Sequence, residues 1–406
     1  MTQPIVVAGI GADGWDGLAA RAQHALAGCE VLFGSPRQLA LIPAGEHVRV
    51  PWPSPLLPAL AGLFEDYADR RICVLASGDP MFHGIGVSLA KLLGPDRLRV
   101  IPHPSSVSLA CARLVWPLAE TPVVSLVNRQ VETVLPALRD GARVLVLSNN
   151  GQTPGEVAQL LRDNGYGSST VTVLEQLGGP AEARIDDTAT RWSVERVDAL
   201  NIVAITCKAD ASAIRLTRGA GLPDRVYGGD GQLTKSEVRA LTLAALAPAA
   251  GELLWDVGGG SGSIAIEWAR ADPRCRAIAF ERVPERAVQI SANARALGVP
   301  AVRVLGAAPE SFADAETPDA IFVGGGVTEP GVLDSCWSRL PEGGRLVANS
   351  VTAESDAVLL AWAGEHGGDL RRFQIYRGEA LGRFTGWRPQ FPVTQWNAIK
   401  ASARTP

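Results

Sequence analysis

The stretch Leu253-Leu254-Trp255-Asp256-Val257-Gly258-Gly259-Gly260-Ser261-Gly262-Ser263 decides how the second half of the chain folds. Its first five residues are an apolar run with one acid and read as a buried strand, and the run 264–270 after the glycines reads as a helix. A strand, a Gly-rich turn and a helix let a nucleotide approach the backbone, because glycine has no Cβ and the first N–H groups of a helix are unpaired. The pattern leaves the ligand open. Gly260, Gly262 and Ala265 also satisfy the G-x-G-x-x-G/A dinucleotide fingerprint. The next acid, Glu281 in Ala279-Phe280-Glu281-Arg282, falls about 20 residues on, where a strand-end carboxylate accepts ribose hydroxyls. Both NAD and S-adenosylmethionine carry that ribose, and a solvated surface acid is the alternative reading of Glu281.

Working outward, a helix is expected over 235–247 and further strands over 277–280, 302–305, 320–323, 345–348 and 393–399. Strands alternating with helices predict a doubly wound parallel sheet. The first half has the same α/β rhythm, with strands expected at 6–10, 31–33, 72–76, 123–127, 144–147, 171–174 and 202–206. Between the halves, about 208–231, the rhythm fails in a stretch rich in Gly, Asp and Arg. The expected organisation is therefore a domain at 1–208, a linker at 209–230 and a second domain at 231–406.

Composition narrows the class. A net charge of −4 provides no basic field for nucleic acid, so an anionic ligand would need local cations. The six cysteines, Cys29, Cys73, Cys111, Cys207, Cys275 and Cys336, form no C-x-x-C pair, and buried free thiols are expected rather than a zinc site or disulfides. No metal is expected. The chain opens on a strand-like run without a signal-peptide pattern and contains no long apolar stretch, so a cytoplasmic protein with no membrane partner is the expectation.

Five blocks carry a resemblance in the second half. They are Leu233-Thr234-Lys235-Ser236-Glu237-Val238-Arg239, Trp255 to Gly262, Gly306-Ala307-Ala308-Pro309-Glu310, Phe322-Val323-Gly324-Gly325-Gly326 and Gly343-Gly344-Arg345-Leu346-Val347-Ala348-Asn349. With these the region 231–399 resembles the decarboxylating cobalt-precorrin-6B methyltransferase family, which implies a Rossmann-like methyltransferase fold of a mixed sheet flanked by helices. The resemblance implies S-adenosyl-L-methionine as cofactor, held by Asp256, Gly258, Gly259, Gly260, Ser261, Gly262 and Glu281, with Ala308 beside the adenine and Thr234 lining the pocket. Thr234 with Glu237 also fits a capping box for the helix 235–247, and the two roles are compatible. Lys235 and Arg239, four apart on one helix face, read either as solvated charges or as a clamp for substrate carboxylates. Methyltransferases acting on the amino groups of bases usually carry a Pro-Pro-aromatic motif after the fourth strand. Here Gly324, Gly325 and Gly326 stand there, a side-chain-free floor suited to a wide, flat substrate.

Three blocks carry a second resemblance: Val7-Ala8-Gly9-Ile10-Gly11, the run Leu75-Ala76-Ser77-Gly78-Asp79-Pro80-Met81-Phe82-His83-Gly84-Ile85-Gly86, and Pro102-His103-Pro104-Ser105-Ser106-Val107-Ser108-Leu109-Ala110. With them, residues 4–207 resemble the tetrapyrrole methylase family, which implies a fold of two α/β lobes with the cofactor between them. Gly9, Gly11, Ser77, Gly78, Asp79, Phe82, Ser105 and Ser106 are then the cofactor-binding candidates. Ser77-Gly78-Asp79-Pro80 alone is an ordinary turn sequence. The cobalt-precorrin-7 C(5)-methyltransferase subfamily usually carries His-Gly before the Arg that corresponds to Arg129, whereas this chain has Val127-Asn128, so any role of that histidine has no bearer. His83 and His103 are read as structural.

Together the resemblances imply methylation of a precorrin at carbons 15 and 5, with loss of the ring C acetate carboxylate, in cobalamin biosynthesis. The partner implied is the tetrapyrrole itself, with no nucleic acid, and a homo-oligomer is expected. No acid or base residue is nominated, because the electron-rich macrocycle is the nucleophile. Two other readings are a fused RNA methyltransferase, disfavoured by the acidic net charge, and a precorrin carrier with one degenerate site, disfavoured by intact glycines and acids in both halves.

Overall fold

The computed structural model describes residues 3–401. The chain forms two compact units, one of residues up to Val131 with Ala137–Ile214, the other of Glu132–Pro136 with the chain from Arg215 on.

The first unit has two lobes. In the first lobe, strands β1 (Ile5–Ile10), β2 (Val31–Gly34), β3 (Val48–Pro51), β4 (Ile72–Ser77) and β5 (Leu98–Ile101) form a parallel sheet in the order β3-β2-β4-β1-β5. β1, β2 and β4 are buried on both faces, as their continuous apolar runs require in a parallel sheet covered by helices. The second lobe orders β6 (Val123–Ser125), β7 (Arg143–Leu147), β8 (Thr170–Glu175), β9 (Ala183–Thr188) and β10 (Asn201–Thr206) as β6-β7-β10-β8-β9. Only β6 and β7 run parallel there; the other pairs are antiparallel. The expected strand at 123–127 stops at Ser125, because Asn128 takes a left-handed turn with φ of +56°. Strands β3, β5 and β9 had no sequence signal: they lie at or near sheet edges, and their polar residues hide the period-two pattern.

The second unit is built on β11 (Leu253–Val257), β12 (Arg276–Phe280), β13 (Arg303–Leu305), β14 (Ala320–Val323) and β15 (Arg345–Ser350). With β16 (Asp369–Phe373) and β19 (Val393–Ile399) they form a seven-stranded sheet, β13-β12-β11-β14-β15-β19-β16. The first five strands are parallel; β19 is antiparallel to both neighbours, so the sheet is mixed, not wholly parallel. A separate hairpin pairs β17 (Tyr376–Leu381) with β18 (Phe384–Pro389). β16 to β18 are mostly exposed, which is why their sequences show no buried-strand pattern.

Alternation along β11 sends its residues to two cores. Trp255 joins Phe280 and Phe312, with ring centroids 4.7–5.1 Å apart, on one face, while Leu254 joins Ile264 and Trp268 of the helix Ser263–Ala271 on the other. Asp256 lies on that helix side, where its Oδ2 accepts the Ala265 N–H at 3.0 Å. From β11 the chain winds to one side through β12 and β13 and to the other through β14 and β15. The strand order therefore switches at β11 and β14, where open α/β sheets place their ligand crevice.

The segment read as a linker is packed chain from Arg215 on. Leu222 is buried in the second unit's core, with Leu216, Val226 and Tyr227 against it. Its hydrogen bonds run to side chains far away in sequence, a feature that local rhythm does not reveal. All six cysteines are free and buried. Among the described residues no helix is long and apolar enough to cross a membrane.

Candidate active sites

At the switch point of the second unit the glycine turn opens into a cleft of about 520 Å³. Gly258, Gly260 and Gly262 have φ of +75°, +57° and +75°, a region that side chains resist. A Cβ on Gly258 would also lie 2.8 Å from the Gly325 nitrogen, so the two glycine runs approach backbone to backbone. Glu281, the residue after β12, is buried, one carboxylate oxygen accepting the Gly260 N–H at 2.8 Å and the other the Val283 N–H at 2.9 Å. Each oxygen retains accepting capacity, as ribose hydroxyls would require.

Asp256 is 1% exposed, and its Oδ1 has no hydrogen-bond partner. Burial, with a smaller contribution from the nearby Glu281 charge and against the pull of the Ala265 N–H, raises its carboxyl to about 7. The buried Ser261 Oγ is likewise unpartnered, while Asn293 holds the Ser261 carbonyl at 2.9 Å and both polar groups of the Gly228 backbone. Unmatched buried polar atoms beside a side-chain-free turn fit a polar ligand such as the methionine part of S-adenosylmethionine.

Of the residues singled out in the sequence, Thr234, Lys235, Asp256, Gly258, Gly259, Gly260, Glu281 and Ala308 line this cleft; Ser261 and Gly262 shape the turn beside it. Two readings change. Thr234 does not cap the helix, which spans Ser236–Leu246 with Lys235 at its N-cap; Asp224 accepts the Ser236 N–H at 2.9 Å instead, and Glu237 pairs with Arg377 at 2.8 Å. Arg239 is no substrate clamp. It is fully buried, pairs with Glu267 at 2.5 Å, donates to the carbonyls of Thr234 and Leu222, and lies 4.7 Å over the Tyr227 ring. Glu267 also accepts the N–H groups of Gly221 and Leu222 and the Tyr227 hydroxyl, so this network ties the former linker to the sheet. Lys235 is exposed at the cleft. Arg282, Arg286 and Arg377 also line it and were missed, as their signal is positional: Arg282 follows the strand-end acid, while Arg377 comes from the unforeseen hairpin.

In the first unit a smaller cleft, about 120 Å³, lies between strand ends of its two lobes. Gly11, Ser77, Gly78, Phe82, Ser105 and Ser106 line it. Gly9 sits behind, where a Cβ would come within 2.1 Å of the Gly78 carbonyl oxygen. Ser105 caps the helix Ser106–Leu114 by accepting the Ser108 N–H at 3.1 Å. Asp79 is outside the cleft lining; its Oδ1 accepts the Met81 N–H at 2.8 Å and so holds the turn. His103, nearly buried, is 3.4 Å from Asp13 beneath the glycine turn. Sequence reading missed Arg37 and Asn201 and the apolar wall of Leu147, Leu174 and Leu177. Leucines at strand ends carry no chemical signal, whereas the Ser35-x-x-Gln38 capping box beside Arg37 was readable.

Two family descriptions match the chain in succession. The family described as tetrapyrrole (corrin/porphyrin) methylases matches residues 4–191, and that described as a precorrin methyltransferase domain matches 225–400. Over 400 residues the chain is 50% identical to the precorrin-6Y C(5,15)-methyltransferase [decarboxylating] of Mycobacterium tuberculosis, covering 98% of this chain and 100% of that protein. The chain belongs to the decarboxylating precorrin-6Y C(5,15)-methyltransferase family. A member from Sinorhizobium sp is 46% identical over 98% of this chain and 96% of its own. The solved C-terminal domain of precorrin-6Y C5,15-methyltransferase from Rhodobacter capsulatus is 44% identical, covering 46% of this chain and all of its own, with a TM-score of 0.44. As a member of this family the chain is a decarboxylating precorrin methyltransferase of cobalamin biosynthesis, and the tetrapyrrole methylases are S-adenosylmethionine-dependent.

Proposed function

We propose that the two units are separate catalytic domains, broadly 1–208 and 231–406 with the second extended back to Arg215, and that each binds its own S-adenosyl-L-methionine. The C-terminal domain methylates carbon 15 of the precorrin and removes the ring C acetate carboxylate; the N-terminal domain methylates carbon 5. The observation that carries this reading is the presence of two distinct clefts, each built on its own glycine turn. When bound, S-adenosyl-L-methionine supplies an electrophilic methyl group. In the C-terminal cleft Glu281 would hold its ribose, Asp256 and the turn 258–262 its methionine part, Ala308 its adenine side, and Thr234 the pocket wall. In the N-terminal cleft Gly11, Ser77, Gly78, Phe82, Ser105 and Ser106 would hold it, with Gly9 and Asp79 shaping the turns.

The macrocycle carbon is the nucleophile, so the work of the protein is alignment and exclusion of water. Loss of carbon dioxide leaves an electron pair that the conjugated macrocycle accepts, and no side chain is required as a strong base. Lys235, exposed on the C-terminal cleft rim, takes a substrate carboxylate; Arg282, just past the end of β12, serves the same purpose. We place the enzyme in the cytoplasm as a homo-oligomer.

Mass spectrometry of the precorrin after incubation with the full chain tests the assignment. Gly258→Ala should give a product with at most one added methyl and its carboxylates intact. A product that still loses carbon dioxide in that variant would overturn the division of labour.

A further inference from the structure

Arg37 lines the N-terminal cleft beside Ser77 and Gly78. Its place is set from below. Ser35 and Gln38 form a reciprocal capping box, and the buried Gln38 side chain then donates to the Ser77 Oγ at 3.1 Å. The Arg37 guanidinium donates to the same oxygen at 3.3 Å. Among the described residues no carboxylate forms a salt bridge with it; the acid whose charge it feels, Asp198, accepts the Leu200 N–H at 2.7 Å instead. Burial draws the Arg37 pKa below the usual arginine value, and the Asp198 charge offsets part of that fall. Arginine keeps its proton regardless, so a partly desolvated guanidinium facing a cleft without a matched anion favours an anion brought by a ligand.

The state of Ser77 fits the same conclusion. Its oxygen already has two donors aimed at it, so the group it has left to offer the cleft is its hydroxyl proton, which suits an acceptor. We infer that Arg37 and the Ser77 hydroxyl form a carboxylate-recognition site in the N-terminal cleft. The carboxylate comes from an acetate or propionate arm of the macrocycle or from the methionine part of the donor, and the inference rests on this cleft being the carbon 5 methylation site.

The test uses the full chain, with separate titrations of precorrin and S-adenosylmethionine and product mass as the readout. Arg37→Met should lower kcat/KM for one methylation by about ten- to a hundredfold, while the other methylation and the decarboxylation proceed unchanged. A rise in KM for precorrin alone assigns the carboxylate to the macrocycle. A rise for the donor alone assigns it to methionine, and wild type should then use the donor's carboxamide analogue as poorly as the variant does. Arg37→Lys should recover part of the loss, because it keeps the charge but not the fork. Unchanged KM for both ligands in Arg37→Met, or in Arg37→Gln should the first variant not fold, would overturn the inference. If the lost methyl proves to be the one at carbon 15, the carboxylate site stands and the assignment of domains falls.

Discussion

In the C-terminal unit Gly258, Gly260 and Gly262 all take left-handed φ, whereas Gly9 and Gly11 of the N-terminal unit do not. The latter are glycines because a Cβ would meet the Gly78 carbonyl oxygen at 2.1 Å and the Asp13 carboxylate at 2.5 Å. Similar sequence words thus answer different demands: Gly258 needs both a left-handed turn and close approach to the Gly325 backbone, whereas Gly9 and Gly11 answer close approach alone. The acids differ as well. Asp256 and Glu281 are buried and held by backbone N–H groups, while Asp79, the corresponding expectation in the N-terminal half, ties a turn together outside its cleft. The N-terminal cleft instead presents an unmatched cation, Arg37.

The largest expected effect comes from Gly9→Ala. Its clash is with backbone, so we expect at least about 4 kcal/mol of destabilisation and loss of one methylation, with the decarboxylation retained. Gly258→Ala adds strain to a 2.8 Å backbone contact and should cost about 2–4 kcal/mol and the converse activities. Denaturant unfolding followed by product mass reads both, and loss of every activity in either variant would break the comparison.

Arg239→Ala should cost stability on the same scale, without selecting one activity. Removing one partner of a buried ion pair leaves the Glu267 charge without its counter-ion, at about 3–5 kcal/mol, read as a lower denaturation midpoint. The Michaelis constant for precorrin in the protein that remains folded should be unchanged; a selective rise would restore the clamp reading.

Asp256→Asn should flatten a pH dependence. The folded protein holds the Asp256 proton up to about 7, and the unfolded chain releases it near 4. Folding therefore retains a proton between those values, and stability falls as pH rises through that window, by an amount on the order of 2–4 kcal/mol, then levels off. The variant should lose that slope; an unchanged slope between pH 4 and 7 would show that Asp256 is not its source.

The smallest effect is expected for Lys235→Gln. The side chain is exposed, so stability should stay within about 0.5 kcal/mol, while the Michaelis constant for precorrin rises several-fold and that for the donor does not. Equal constants for wild type and variant would return Lys235 to a solvated surface charge.

By itself the sequence determined the strands that are buried on both faces and the turns that follow them. β11 and β14 have the limits read from their apolar runs, because a largely apolar run flanked by turn residues has few other solutions, and β19 also has the limits expected for it. It also marked Glu281 and the glycines 258–262, since these needs are local: a backbone angle, and a carboxylate at a strand end. Tertiary structure alone decided what long-range partners impose. Arg239 and Lys235 look alike in sequence, four residues apart near the start of one helix, yet Glu267, 28 residues beyond Arg239, draws Arg239 into the interior and leaves Lys235 at the cleft. Asp224 rather than Thr234 reaches the helix start for the same reason, as does the packing of the Gly-rich segment from Arg215. A residue's charge is written in the sequence; whether that charge meets water, a ligand or a buried partner depends on chain that arrives from elsewhere.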